Sequence, residues 1–69
     1  MNLFILTEGN LASGYMEVVS VSSTLEDAIA IIKVRKYASG RDSLTDCWGV
    51  LQTSLGLVEE LTWVHTEML

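Results

Sequence analysis

Arg41 to Gly56 reads RDSLTDCWGVLQTSLG, and its assignment to helix or strand decides the fold. Leu44, Cys47, Trp48, Leu51 and Leu55 recur at i, i+3, i+4, i+7 and i+11, the spacing of one helical face. Ser43 with Asp46 supplies a start signal and Gly56 a stop. A strand would need alternation through Cys47 to Thr53, and none there is clean. Gly49, Val50 and Thr53 weaken a helix by propensity. The spacing predicts a helix over 43–55, with a third strand at 47–54 as the alternative.

Upstream, Asn2 to Glu8 reads NLFILTE. Leu3 and Ile5 point one way, Phe4 and Leu6 the other. Both faces are apolar, as in a strand covered on both sides. The segment Gly9–Gly14 is bracketed by glycines and reads as a loop. Tyr15 to Ser22, YMEVVSVS, is rich in β-branched residues and completes an antiparallel hairpin. In it, Met16 and Val18 alternate with Glu17, Val19 and Val21.

Ser23 stands three residues before Glu26, a capping-box pattern that predicts a helix over 24–38. Leu25, Ala28, Ile29 and Ile32 form its core stripe. Glu26 and Asp27 near its start, and Lys33, Arg35 and Lys36 near its end, complement the helix dipole. Gly40 reads as the stop. At the other end of the chain, Val58 to Met68 (VEELTWVHTEM) alternates as a last strand, with a helix through Leu57, Leu61, Val64 and Met68 as the alternative.

The expected fold is a single α+β domain over 1–69. A small three-stranded antiparallel sheet carries two helices on one face, in the order ββααβ. Strand 1 is central and the other two are edges. The order becomes ββαββ if 47–54 is a strand.

Composition narrows the function classes. The chain has 69 residues, of which 49% are hydrophobic, and a formal net charge of −5. Its mean hydropathy is +0.37. A domain near this size buries only ~60% of the surface its unfolded chain exposes. Small scaffolds therefore rely on staples or oligomerisation. The single Cys47 cannot form an internal disulfide, and no Cys/His cluster suggests a metal. The longest wholly apolar run, Ala28 to Ile32, is far below the ~20 residues of a membrane span. The N-terminus lacks a signal-peptide pattern, and a lone thiol suits a reducing compartment, so a cytoplasmic location is expected. No cofactor is expected.

The stretch Leu3–Ile32 resembles a group of small uncharacterised domains from phages and bacteria. The residues that carry the likeness are Leu6-Thr7-Glu8-Gly9, Gly14-Tyr15 and the junction Val21-Ser22-Ser23-Thr24-Leu25-Glu26-Asp27-Ala28. Ser22 stands where the pattern usually has an aromatic residue. The resemblance implies a hairpin–helix fold and a phage origin, and it implies no activity.

Chemical motifs are sparse. His65 and Cys47 could form a base–nucleophile pair only if the fold joined them. Cys47 beside Trp48 otherwise reads as a small buried hydrophobe. Glu59 and Glu60 read as a solvated edge. The basic residues are the sharper signal. Lys33, Arg35, Lys36 and Arg41 hold every positive side-chain charge, and Tyr37 lies among them. They could hold a small anionic ligand such as a nucleotide signal, with Tyr37 stacking a base. The bland reading is dipole complementation at a helix end. Duplex nucleic acid is disfavoured by the overall charge. Ala30, Val34 and Tyr37 form a second apolar stripe on the helix, turned from its core face, and mark an expected interface.

These features lead to the expectation of a small acidic non-enzymatic interaction protein. It would be phage-encoded, self-associating as a homodimer or larger, and would bind and inhibit a host protein. The alternatives are a module sequestering a small anion at the basic pole, and a structural subunit of a larger assembly.

Overall fold

A computed structural model of the protein describes residues 2–37, 46–54 and 61–68. Its elements are β1 (Asn2–Asn10), β2 (Tyr15–Ser22), α1 (Leu25–Lys36), β3 (Asp46–Ser54) and β4 (Thr62–Met68). The four strands form one sheet in the order β2-β1-β3-β4, and every pairing is antiparallel.

This corrects the expected architecture. The sheet has four strands rather than three, and one helix rather than two lies among the described residues. The stretch 46–54 is a strand, not the helix 43–55. It pairs with β1 without a break, from Asn2 opposite Ser54 to Asn10 opposite Asp46. Trp48 and Val50 are buried toward α1, while Cys47, Gly49 and Leu51 belong to the other face. Apolar residues on both faces erase the alternation that marks a strand. They also leave an accidental match to helical spacing. The β-branched Val50 and Thr53 suit the pleat, and pairing along the whole of β1 outweighs the helical stripe. Strand β1 is interior, as expected, but β3 is interior beside it and β4 forms the edge. Within Val58–Met68, the described strand is Thr62–Met68.

Asn10 ties the hairpin to β3. Its Oδ1 accepts from the backbone N–H groups of Ala12 and Ser13, at 3.0 and 3.1 Å. Its Nδ2 donates to Asp46 Oδ1 at 2.9 Å. The first strand thus runs through Gly9 to Asn10, beyond the expected loop start. Gly14 closes the turn at φ +73°, where a side chain would be strained.

Both edge strands are irregular. The β1–β2 register shifts between Leu6 and Thr7, leaving Val19 as the extra residue of β2. The β3–β4 register shifts between Val50 and Leu51, leaving Val64 as the extra residue of β4. Val19 and Val64 both pack against the core. The shifts also move Val21 onto the face of Met16 and Val18, and put Trp63 and His65 on opposite faces.

Helix α1 covers one face only. Leu6, Ala28, Ile32, Trp48 and Val50 form the buried core, with Phe4, Leu25 and Ile31 packed beside it. Ile31 joins this cluster where the spacing predicts Ile29. The cap is Thr24 rather than Ser23, because Thr24 Oγ1 accepts from the Asp27 N–H at 3.2 Å. The stop expected at Gly40 lies outside the described residues.

Thr24→Ala should lower unfolding stability by about 1 kcal/mol in urea denaturation, and Ser23→Ala should change it by less than about half that. Equal losses at both positions would contradict the cap assignment.

Candidate interaction surface

The basic residues do not gather into one open pole. Arg35 continues the stripe of Ala28 and Ile32, so it points back across the sheet. Its Nε donates to Glu8 Oε2 at 2.7 Å, and its terminal nitrogen meets the same oxygen. Glu8 lies on the covered face of β1 and is 5% exposed. Lys36 Nζ lies 4.0 Å from Glu67 Oε2 on β4, and His65 Nε2 lies 3.8 Å from Glu67 Oε1. Lys33 and Tyr37 are exposed, while Arg41 lies outside the described residues. Two of the expected anion ligands therefore face carboxylates of the sheet. Helical periodicity contains this signal: Arg35 sits seven residues from Ala28. Its partner, 27 positions away in sequence, is visible only in the fold.

Cys47 and His65 are on opposite faces of the sheet. Cys47 pairs with Met68 on the uncovered face, and His65 pairs with Val50 on the helix side. The sheet separates them, and the register rules out a nucleophile–base pair. Cys47 is half-buried on a strand, not buried in a helix. Glu59 and Glu60 lie outside the described residues. Among the described residues no group of three His, Cys, Asp or Glu side chains could hold a metal ion. Among the described residues no helix is long and apolar enough to cross a membrane.

On the helix side, the β2 edge carries Tyr15 and Glu17 near the Arg35–Glu8 pair. They line a small cleft of about 160 Å³ with Asn10 and Asp46. The Tyr15 hydroxyl donates to Glu17, which raises its pKa above the ordinary 10.0. Burial and the Glu17 charge add to the rise.

The expected interface residues Ala30, Val34 and Tyr37 are exposed on the outer side of α1, Val34 at 73% and Tyr37 at 82%. A larger apolar surface lies on the opposite side of the molecule. Directly paired residues share a face. By register, the uncovered face therefore carries Met16, Val18 and Val21 from β2, and Leu3, Ile5, Thr7 and Gly9 from β1. Strand β3 adds Cys47, Gly49, Leu51 and Thr53, and β4 adds Trp63, Thr66 and Met68. None of these strand residues is charged. Val18 is 62% exposed, Val21 57% and Trp63 50%.

The middle of this face is low and its sides are high. Thr7 is buried and its Oγ1 donates to the Gly49 carbonyl at 3.0 Å. The Trp63 ring lies directly over Gly49, where any Cβ would collide with it. A groove of about 390 Å³ crosses the face, with Leu11 and Met16 on one side and Trp63 and Met68 on the other. Sequence reading missed this surface because the bulges hide which valines and aromatics share a face. The available signal was the two-sided apolar pattern of β1.

No family model matches the chain, and no curated protein or solved structure matches it.

Arg35→Ala should lower unfolding stability by about 1–3 kcal/mol in urea denaturation, because it leaves a buried carboxylate without its guanidinium. Lys33→Ala should stay within about 0.5 kcal/mol. Equal effects would contradict the inward orientation of Arg35.

Proposed function

We propose that this is a small non-enzymatic interaction protein that works by presenting its uncovered sheet face to a protein surface. One observation carries this reading. The face is apolar and continuous across four strands, and it bears no charge among the described strand residues of an acidic chain. Large exposed apolar patches of this kind mark protein contact sites. The hairpin–helix resemblance implies a phage origin and no activity, so the contact role rests on this face. The cytoplasm of the producing cell is the matching compartment.

The anion-sequestering reading is weaker. It requires Arg35 and Lys36 to turn outward, away from Glu8 and Glu67. The helix stripe Ala30, Val34 and Tyr37 is a secondary contact at most, since it is narrower than the sheet face and lies beside Lys33.

A photo-crosslinking amino acid at Val18 tests the reading in cells that produce the protein, with Val34 as the comparison position. Val18 should give a protein adduct in several-fold excess over Val34. No adduct from Val18, or equal capture from both positions, would overturn the proposal.

A further inference from the structure

The uncovered face is too broad and too apolar to be left in water, and its own geometry selects an occupant. Strand β1 carries Leu3 and Ile5 on this side and Phe4 and Leu6 on the other. The helix shields Phe4 and Leu6. No described element of the chain lies over Leu3 and Ile5, which are only partly buried.

We infer that a second copy of this chain covers the face, sheet against sheet, in a symmetric dimer with both helices outside. The inference rests on the interaction-surface reading above and names its partner.

Area is the first argument. The Cα envelope measures 36 × 23 × 14 Å. The sheet face, four strands ~4.8 Å apart and up to nine residues long, has a flat footprint of roughly 550 Å² before side-chain relief is counted. That is close to the roughly 600–1,000 Å² of accessible surface that each partner contributes to a stable interface. Two such sheets pack at ~10 Å with interdigitating side chains.

Charge is the second argument. Each copy carries −5, so most ways of bringing two copies together oppose like charges. The described acids of the strands, Glu8, Glu17, Asp46 and Glu67, all lie on the helix side by register. The uncovered face is where two acidic copies can meet without burying a charge.

The edges supply the third argument. Copies could also add strand to strand and extend the sheet. Yet β2 and β4 are both bulged, and each carries a glutamate, Glu17 or Glu67. Bulges and charges are the devices that block edge pairing. The edges are guarded while the face is not. A face that meets its own copy closes on itself, so assembly stops at two.

Sedimentation of the purified full chain across a concentration series tests this, joined to the alkylation rate of Cys47 by iodoacetamide. Cys47 lies on the face in question and is the chain's one thiol. The expected result is a dimer whose Cys47 reacts several-fold more slowly as concentration rises. Val18→Glu should weaken the dimer at least tenfold, and Val34→Glu should leave it unchanged. Val21→Lys serves as a second face variant, and circular dichroism checks that each variant is folded. A monomer throughout the micromolar range overturns the second-copy inference. A dimer that survives Val18→Glu and Val21→Lys, or that leaves Cys47 equally reactive, also overturns it. The interaction-surface reading fails separately, by the absence of any adduct at Val18 in cells. An adduct there with a different protein, alongside a purified monomer, would keep that reading and remove the dimer.

Discussion

A twelve-residue helix is about 18 Å long, and it lies over a sheet whose interior strands run nine residues each. It can shield only one face. Everything else in the structure follows from where that shield falls. It covers Leu6, Trp48 and Val50, so those positions become the core. The opposite face keeps its apolar side chains, and much of it remains in contact with water. The high hydrophobic content thus belongs partly to a surface, and the described residues offer one helix to hide it.

Polar chemistry gathers on the shielded side. Arg35 follows the buried stripe of α1 and reaches Glu8, which sits beneath the helix on β1. Lys36 extends toward Glu67 on β4. These contacts tie the end of the helix to both an interior and an edge strand. Two members of the basic cluster, which in sequence suggests a ligand site, serve here to orient the helix on the sheet: Arg35 and Lys36 face carboxylates brought close by strand order.

Much of the hairpin and helix was legible in the residues. The β-branched run of β2, the two-faced β1 and the acidic-to-basic order of α1 all correspond to described elements. The stretch 46–54 was not legible. Its long partner β1 lies far away in sequence, and apolar residues on both faces of the stretch erase the alternation. Cys47, Trp48 and Leu51 then mimic a helical stripe. The interaction face was hidden for a related reason. A bulge adds one residue to β2 and another to β4, and each addition reverses which side chains share a face. In this way Val21 joins the face of Met16 and Val18, and Trp63 and His65 come to lie on opposite faces. The two-sided apolarity of β1 did carry the signal that both faces need cover, although it could not say that one cover comes from outside the chain.

The central claim is that the uncovered sheet face, and not the outer side of the helix, is the contact surface. Methyl resonances followed by NMR during dilution test it most directly. The account predicts that the methyls of Ile5, Val18, Val21 and Leu51 shift with concentration while those of Val34 and the core Ile32 hold still. Shifts confined to Val34, or resonances that are constant at every position, would contradict it.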